Sequence, residues 1–97
     1  MKYDCIWIQW AIQFIKDNDL VSFLKKSKEN LNENGIIVLK ENVSRIMTMY
    51  DSDDKSVIRT EPEIISIIEN SNLEIIEISN EENYPKDLVP VKYFVCK

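Results

Sequence analysis

The eight residues Tyr3-Asp4-Cys5-Ile6-Trp7-Ile8-Gln9-Trp10 constrain this chain more than any other stretch. They are apolar almost without interruption and rich in β-branched and aromatic side chains. Such a run reads as a strand buried on both faces of a parallel sheet, where hydrophobic alternation is lost. Asp4 lies near its start and Gln9 punctuates its end. Ligands of open α/β sheets sit at the carboxyl ends of the strands, so Gln9 and Trp10 stand where chemistry is expected. A central strand so early in the chain, with nothing before it to flank it, implies that the chain is part of a larger unit. It also leaves an apolar edge able to pair with another chain, so self-association through residues 3–10 is expected.

The following segments fix the topology. Residues 11–16 make a short connector, and Asp17, Asn18 or Asp19 is suited to cap a helix. Leu20, Phe23, Leu24 and Leu31 recur at helical spacing, with Lys25, Lys26, Lys28 and Glu29 on the other face. The lysines fall late in the helix, where its dipole favours positive charge. Asn34-Gly35 is expected to stop the helix, glycine supplying a left-handed cap. Ile36-Ile37-Val38-Leu39 reads as a second buried strand running into Lys40-Glu41-Asn42. Strand, helix and strand joined by a glycine turn form a βαβ unit, hence parallel and right-handed. It sets Gln9-Trp10 beside Glu41-Asn42 at one edge of the sheet.

Residues 42–60 form a long segment of weak periodicity that leaves the carboxyl end of a strand, the position of a functional lid. Its carboxylates Asp51, Asp53 and Asp54 suit either a solvated acidic turn or a cluster that recognises an amine. A calcium loop is disfavoured, because its glycine and distal glutamate are missing. Thr60-Glu61-Pro62-Glu63 has the spacing of a capping box with proline in the first helical turn. Ile64, Ile65, Ile67 and Ile68 give that helix a broad apolar face. Residues 73–78 and 89–96 read as strands joined by the polar loop 80–87 with Pro85, an antiparallel hairpin. The expected fold is α/β: one partial domain over residues 1–97, the second half of a doubly wound sheet closed by an antiparallel strand.

Charge and composition exclude several functions. A net charge of -5 with pI ≈ 4.7 disfavours a nucleic-acid partner and suits a basic peptide. No apolar run approaches the roughly 18 residues of a membrane span and no signal peptide opens the chain, so neither membrane insertion nor secretion is expected. Cys5 and Cys96 both lie in apolar strands and read as buried free thiols of a reducing compartment, cytoplasmic or nuclear, with a disulfide or metal pair the lesser alternative. The chain has no histidine, which removes imidazole as base or zinc ligand.

Three strings together carry a resemblance. Ile6-Trp7-Ile8-Gln9-Trp10, Asn34-Gly35-Ile36-Ile37-Val38 with Lys40-Glu41-Asn42, and Asp54-Lys55-Ser56-Val57-Ile58-Arg59 resemble the eukaryotic protein N-terminal methyltransferases. That family methylates the α-amine of Xaa-Pro-Lys termini with S-adenosylmethionine. The likeness spans the chain but only the carboxyl-terminal half of such an enzyme, a class I Rossmann-like fold. The glycine-rich cofactor loop is missing, since Gly35 is the only glycine.

The resemblance implies roles residue by residue. Gln9 matches a cofactor contact, and Trp10 the aromatic wall for the substrate's leading residues. Asn42 matches the asparagine that binds the substrate backbone beside its amine. Asp54 matches the proposed base and amine anchor, Asp51 with Asp54 the acidic pair for the substrate lysine, and Ser56 a substrate-contacting serine. Phe14 replaces a usual histidine and Val89 a usual tyrosine, which disturbs the proton-transfer network. No metal is implied. The fragment alone is expected neither to bind S-adenosylmethionine nor to be active; the alternative is a non-catalytic peptide-binding or strand-pairing module.

Overall fold

The computed structural model describes residues 2–81 and 90–97. Its elements are β1 (Tyr3–Gln9), a 3-10 turn (Ile12–Phe14), α1 (Asp17–Glu29), β2 (Leu31–Asn42), β3 (Met49–Asp51), β4 (Ser56–Ile58), α2 (Glu61–Asn70), β5 (Ile75–Asn80) and β6 (Val91–Cys96). Four strands form a mixed sheet in the order β1-β2-β6-β5, and β3 with β4 forms a separate ribbon. β1 runs parallel to β2, with Ile6 opposite Ile37 and Gln9 opposite Lys40. β6 is antiparallel to both β2 and β5. The parallel βαβ unit and the closing antiparallel strand are thus both present. The joining loop with Pro85, and Val89, lie outside the described residues.

The core sits on one face of the sheet. Ile8, Ile37, Leu39, Phe94 and Cys96 meet Leu20 and Leu24 of α1 and Ile64, Ile67 and Ile68 of α2. Burying side chains of this size stabilises the fold by about 1.5–3 kcal/mol each. Both helices use that face, so the opposite one carries no helix among the described residues. This is why β1 is not buried on both faces as its composition suggests. Of its residues only Ile8 is buried, while Tyr3 is 47% and Trp7 54% exposed. β1 is the edge strand, and its neighbour β2 takes the buried place. Cys5 is exposed for the same reason; Cys96 is the one buried thiol of the two.

Two helix boundaries differ from the expectation. α1 starts after Lys16, which makes no side-chain cap, so Asp17 and Asp19 sit inside the first turn and act on the dipole. The helix ends at Glu29, with the Asn30 amide bonding back to the carbonyls of Ser27 and Lys28. Leu31 therefore reaches the core from a strand, and Phe23 is 44% exposed on the helix. Gly35 lies inside β2 and takes no left-handed conformation. It is required for space: a Cβ there would stand 2.9 Å from the Tyr3 carbonyl oxygen and 3.1 Å from that of Asn32. The start of α2 follows its sequence closely. Thr60 and Glu63 form a reciprocal capping box with Pro62 in the first turn.

Between β2 and α2 the chain makes a closed excursion. Ser44 pairs with Thr60 in an isolated bridge, and the Ser44 amide donates to the Arg59 carbonyl at 2.8 Å. The β3–β4 ribbon projects from this base, turning through Lys55 at φ 58°.

Candidate functional site

The adjacent ends of β1 and β2 build an aromatic rim. The Trp10 amide donates to the Lys40 carbonyl at 3.0 Å, extending the ladder one residue beyond β1. The backbone there turns into the left-handed region (φ 49°), a conformation that costs a bulky residue about 1–3 kcal/mol. The turn throws the indole across the sheet edge, where its Nε1 donates to Asn42 Oδ1 at 3.2 Å. Lys40 Nζ lies 4.8 Å from the centre of the Trp10 ring and 5.4 Å from that of Tyr93. Lys40 also pairs with Glu81 at 3.2 Å, and the Tyr93 hydroxyl donates to the same carboxylate. The bond to Glu81 holds the Lys40 ammonium above its ordinary pKa. The Tyr93 hydroxyl and then Lys40 hold Glu81 below the ordinary carboxylate range. Trp7 packs edge-on to Tyr93 at 6.1 Å between ring centres and donates to Gln9 Oε1 at 3.0 Å.

Beneath the rim lies Glu41, 3% exposed. Its Oε1 accepts the Asn42 amide at 2.9 Å, and its Oε2 has no hydrogen-bond partner. Burial raises its pKa, against the opposing pull of the Asn42, Gln13 and Ile12 amides and of Arg59.

The acidic segment is organised differently. Asp51 Oδ1 accepts the amides of Asp53 and Asp54 at 2.9 and 3.4 Å. Asp54 Oδ1 accepts the Ser56 amide at 3.0 Å and its hydroxyl at 2.6 Å. These are the side-chain-to-backbone bonds that shape tight turns. Among the described residues no cluster of three or more His, Cys, Asp or Glu is placed to hold a metal.

Rim and acidic turn meet through the 3-10 turn, against which β4 packs. A cleft of about 860 Å³ opens there, lined by Phe14, Asp17, Tyr50, Asp51, Ser56 and Glu63 among others. Phe14, Asp51 and Ser56 therefore share one wall system, and Gln9, Trp10 and Asn42 share the rim. Asp54 belongs to neither lining, being turned into its own bend. Arg59 fastens the junction. Its guanidinium, on a residue 2% exposed, donates to Asp17 at 2.8 Å, to the Ile12 carbonyl at 2.9 Å and to the Ile15 carbonyl. Glu63 accepts the Thr48 hydroxyl and the Thr60 amide, which hold its carboxyl below the ordinary range.

Sequence reasoning set Glu41 at the sheet edge beside Asn42 but gave no role to it or to Lys40, Arg59, Glu81 or Tyr93. Glu41 carried a usable signal, since it shares strand parity with the core residues Ile37 and Leu39. The others depend on pairings that no local pattern encodes.

A parallel strand pair with its ligand-facing rim, followed by a ribbon, a helix and an antiparallel hairpin, is the arrangement of S-adenosylmethionine-dependent methyltransferases. A solved methyltransferase of that kind from Leishmania major superposes with a TM-score of 0.95 at 32% identity, over 99% of this chain and 39% of that one. The chain belongs to the family described as AdoMet dependent proline di-methyltransferase, whose model matches residues 1–97. It is 40% identical over 96 residues to an alpha N-terminal protein methyltransferase 1 of Dictyostelium discoideum, covering 99% of this chain and 36% of that protein. It is 39% identical over 90 residues to an N-terminal Xaa-Pro-Lys N-methyltransferase 2 of Danio rerio, covering 93% and 32%. The chain thus spans about a third to two fifths of the length of these relatives.

Among the described residues the family's cofactor finds only an edge of a site. Gln9 offers one exposed amide, already joined to Trp7. The single glycine is packed against the Tyr3 backbone within β2, so no backbone cradle for the cofactor can be built from it. The described residues do not by themselves fit S-adenosylmethionine.

Proposed function

We propose that this chain is the substrate-side part of a protein N-terminal methyltransferase that transfers a methyl group from S-adenosylmethionine to the α-amine of Xaa-Pro-Lys termini. The Trp10–Asn42 hydrogen bond carries the reading. It unites the ends of two adjacent parallel strands into one prebuilt surface with an aromatic wall and an amide. In this reading Trp10 packs against the substrate's leading residues and Asn42 binds its backbone beside the amine. Asp51, Asp54 and Ser56 approach from the ribbon, with Asp54 as base and amine anchor and Asp51 beside it for the substrate lysine. Gln9 touches the cofactor. The acidic balance of the chain supports a basic peptide over nucleic acid, and a cytoplasmic or nuclear setting fits such substrates.

The physical demands suit these residues. An α-amine titrates near ~7.7–8, so freeing it of its proton at neutral pH costs only about 1 kcal/mol. Holding nitrogen, methyl carbon and sulfur in line contributes far more, roughly 7–11 kcal/mol in favourable cases. A chain with Phe14 in place of a histidine can therefore still serve, provided Asp54 and the positioning surface remain. The cofactor-holding surface must come from the rest of the fold, and the chain alone is inactive.

The test is reconstitution. The remaining length of a relative is supplied as a second polypeptide, and methyl transfer to a Pro-Lys peptide is measured. Activity that needs both parts and is lost with Trp10→Ala supports the reading; activity indifferent to Trp10 contradicts it. The exposed edge and the aromatic side chains of β1 support a second reading, a module that pairs strands or binds peptides without catalysis. Concentration-dependent dimers by light scattering, abolished by Ile6→Pro on the edge, are its expected signature.

A further inference from the structure

Three contacts hold Trp10, and two of them come from Lys40. The Trp10 backbone sits in the left-handed region at φ 49°, which a bulky residue keeps only where its surroundings over-determine it. Its amide donates to the Lys40 carbonyl at 3.0 Å, and its indole Nε1 to Asn42 Oδ1 at 3.2 Å. A bond at Nε1 fixes one edge of the ring and leaves the ring free to pivot about that edge. The Lys40 ammonium stops the pivot. It stands over the ring at 4.8 Å from the centre, inside the roughly 6 Å at which an aromatic face attracts a cation.

A lysine ammonium on its flexible stem is a poor clamp unless something holds it. Here Glu81 binds it at 3.2 Å, the Tyr93 ring centre lies 5.4 Å away, and the Tyr93 hydroxyl donates to the same carboxylate. The Lys40 and Glu81 side chains are only 16% and 29% exposed, so this is not the screened surface pair that contributes little. Sheet register brings the group together. Lys40 on β2 stands opposite Tyr93 on β6, and Glu81 directly follows β5, the strand on the other side of β6.

We propose that Lys40 is the positioning residue of the rim: anchored by Glu81 and Tyr93, its ammonium fills one face of the Trp10 indole and holds the ring to Asn42, leaving the opposite face as the wall a ligand meets. The cation also polarises the indole, which makes its N–H a better donor to Asn42. The wall that follows β1 is thus set from the far side of the sheet. That its open face receives a substrate rests on reading Trp10 as the substrate wall. The clamp does not, and it is tested with neither substrate nor cofactor.

Two measurements on this chain decide the matter. In the unsubstituted chain the ε-methylene protons of Lys40 are expected at higher field than those of the other lysines, shifted by the Trp10 and Tyr93 rings, with nuclear Overhauser contacts to the indole. Ordinary shifts without those contacts overturn the proposal. The second measurement follows the Trp10 Nε1–H resonance and, in a Trp7→Phe background where Trp10 is the only indole, its emission. Lys40→Met keeps an apolar stem without the charge, and is expected to move the resonance upfield and the emission to the red. Glu81→Gln loosens the ammonium and is expected to move both the same way by less. Lys40→Arg, which keeps a cation for the ring and for Glu81, is expected to retain both signals. A lysine that served the sheet alone would leave the indole untouched, so unmoved signals in Lys40→Met and Glu81→Gln, with far-ultraviolet circular dichroism unchanged, overturn the proposal. Should Lys40→Met not fold, Glu81→Gln and the unsubstituted chain still decide. A clamp seen in these spectra beside a reconstituted activity indifferent to Trp10→Ala would sink the substrate reading and leave the clamp standing.

Discussion

The aromatic rim and the acidic ribbon use their polar side chains in opposite ways. At the rim three polar contacts join segments far apart in the chain or on different strands: Trp10 to Asn42, Lys40 to Glu81, Tyr93 to Glu81. In the ribbon the carboxylates of Asp51 and Asp54 bond to residues two and three positions away. The rim is therefore set by the sheet, and its geometry survives only while the sheet does. The ribbon sets its own turn and depends on the rest of the molecule through its base. Two groups read in the sequence as one site thus differ in what holds them: the first by contacts across the sheet, the second by bonds within its own turn.

The largest test of that difference lies at the joint. Arg59→Ala removes the guanidinium that ties the ribbon's exit to the exposed Asp17 and to two carbonyls of the connector, leaving the buried Ile12 carbonyl and the part-buried Ile15 carbonyl without their partner. A loss of about 2–4 kcal/mol is expected in urea denaturation, since each abandoned buried partner costs about 1–3 kcal/mol. Asn42→Ala comes next. It takes one hydrogen bond from the rim, about 1 kcal/mol, and is expected to red-shift and expose the Trp10 indole. A ribbon built independently of the rim will keep its amide resonances unchanged in that variant.

Acid titration sharpens the contrast in sign. The folded pKa of Glu63 is lowered, chiefly by the Thr48 hydroxyl, so the group binds a proton less readily folded than unfolded. Its contribution is present above the unfolded value of about 4.3 and is lost as pH falls through the lower folded value. Glu41 has the reverse sense, because its raised folded pKa makes stability fall as pH rises from the unfolded value through the folded one. Glu63→Gln is expected to flatten only the acid limb of the stability curve, modestly because solvent screens the site. The smallest effect belongs to Asp54→Ala. Its bonds are local and exposed, so less than ~1 kcal/mol is expected, with the loss confined to the ribbon's amide protection.

Much of this was legible in the residues themselves. The Asn42 and Trp10 positions followed from one inference, that two runs joined by a helix pair in parallel, and Thr60 with Glu63 announced their own capping box. Gly35 misled because the chain needs glycine for two reasons, a left-handed turn or a close approach. Only the proximity of the Tyr3 carbonyl decides between them. Residues 3–10 misled because their composition records burial in a whole sheet, whereas within these residues β1 is an edge. The cross-strand partners Lys40, Tyr93 and Glu81 had no sequence signal, since register joins residues about forty to fifty positions apart.

The central proposal is that this chain supplies the substrate surface of a methyltransferase and not its cofactor site. Calorimetric titration of S-adenosylmethionine into the 97-residue chain alone tests it directly. No saturable heat is predicted; a one-to-one isotherm in the micromolar range would show that these residues cradle the cofactor after all, and would contradict the account.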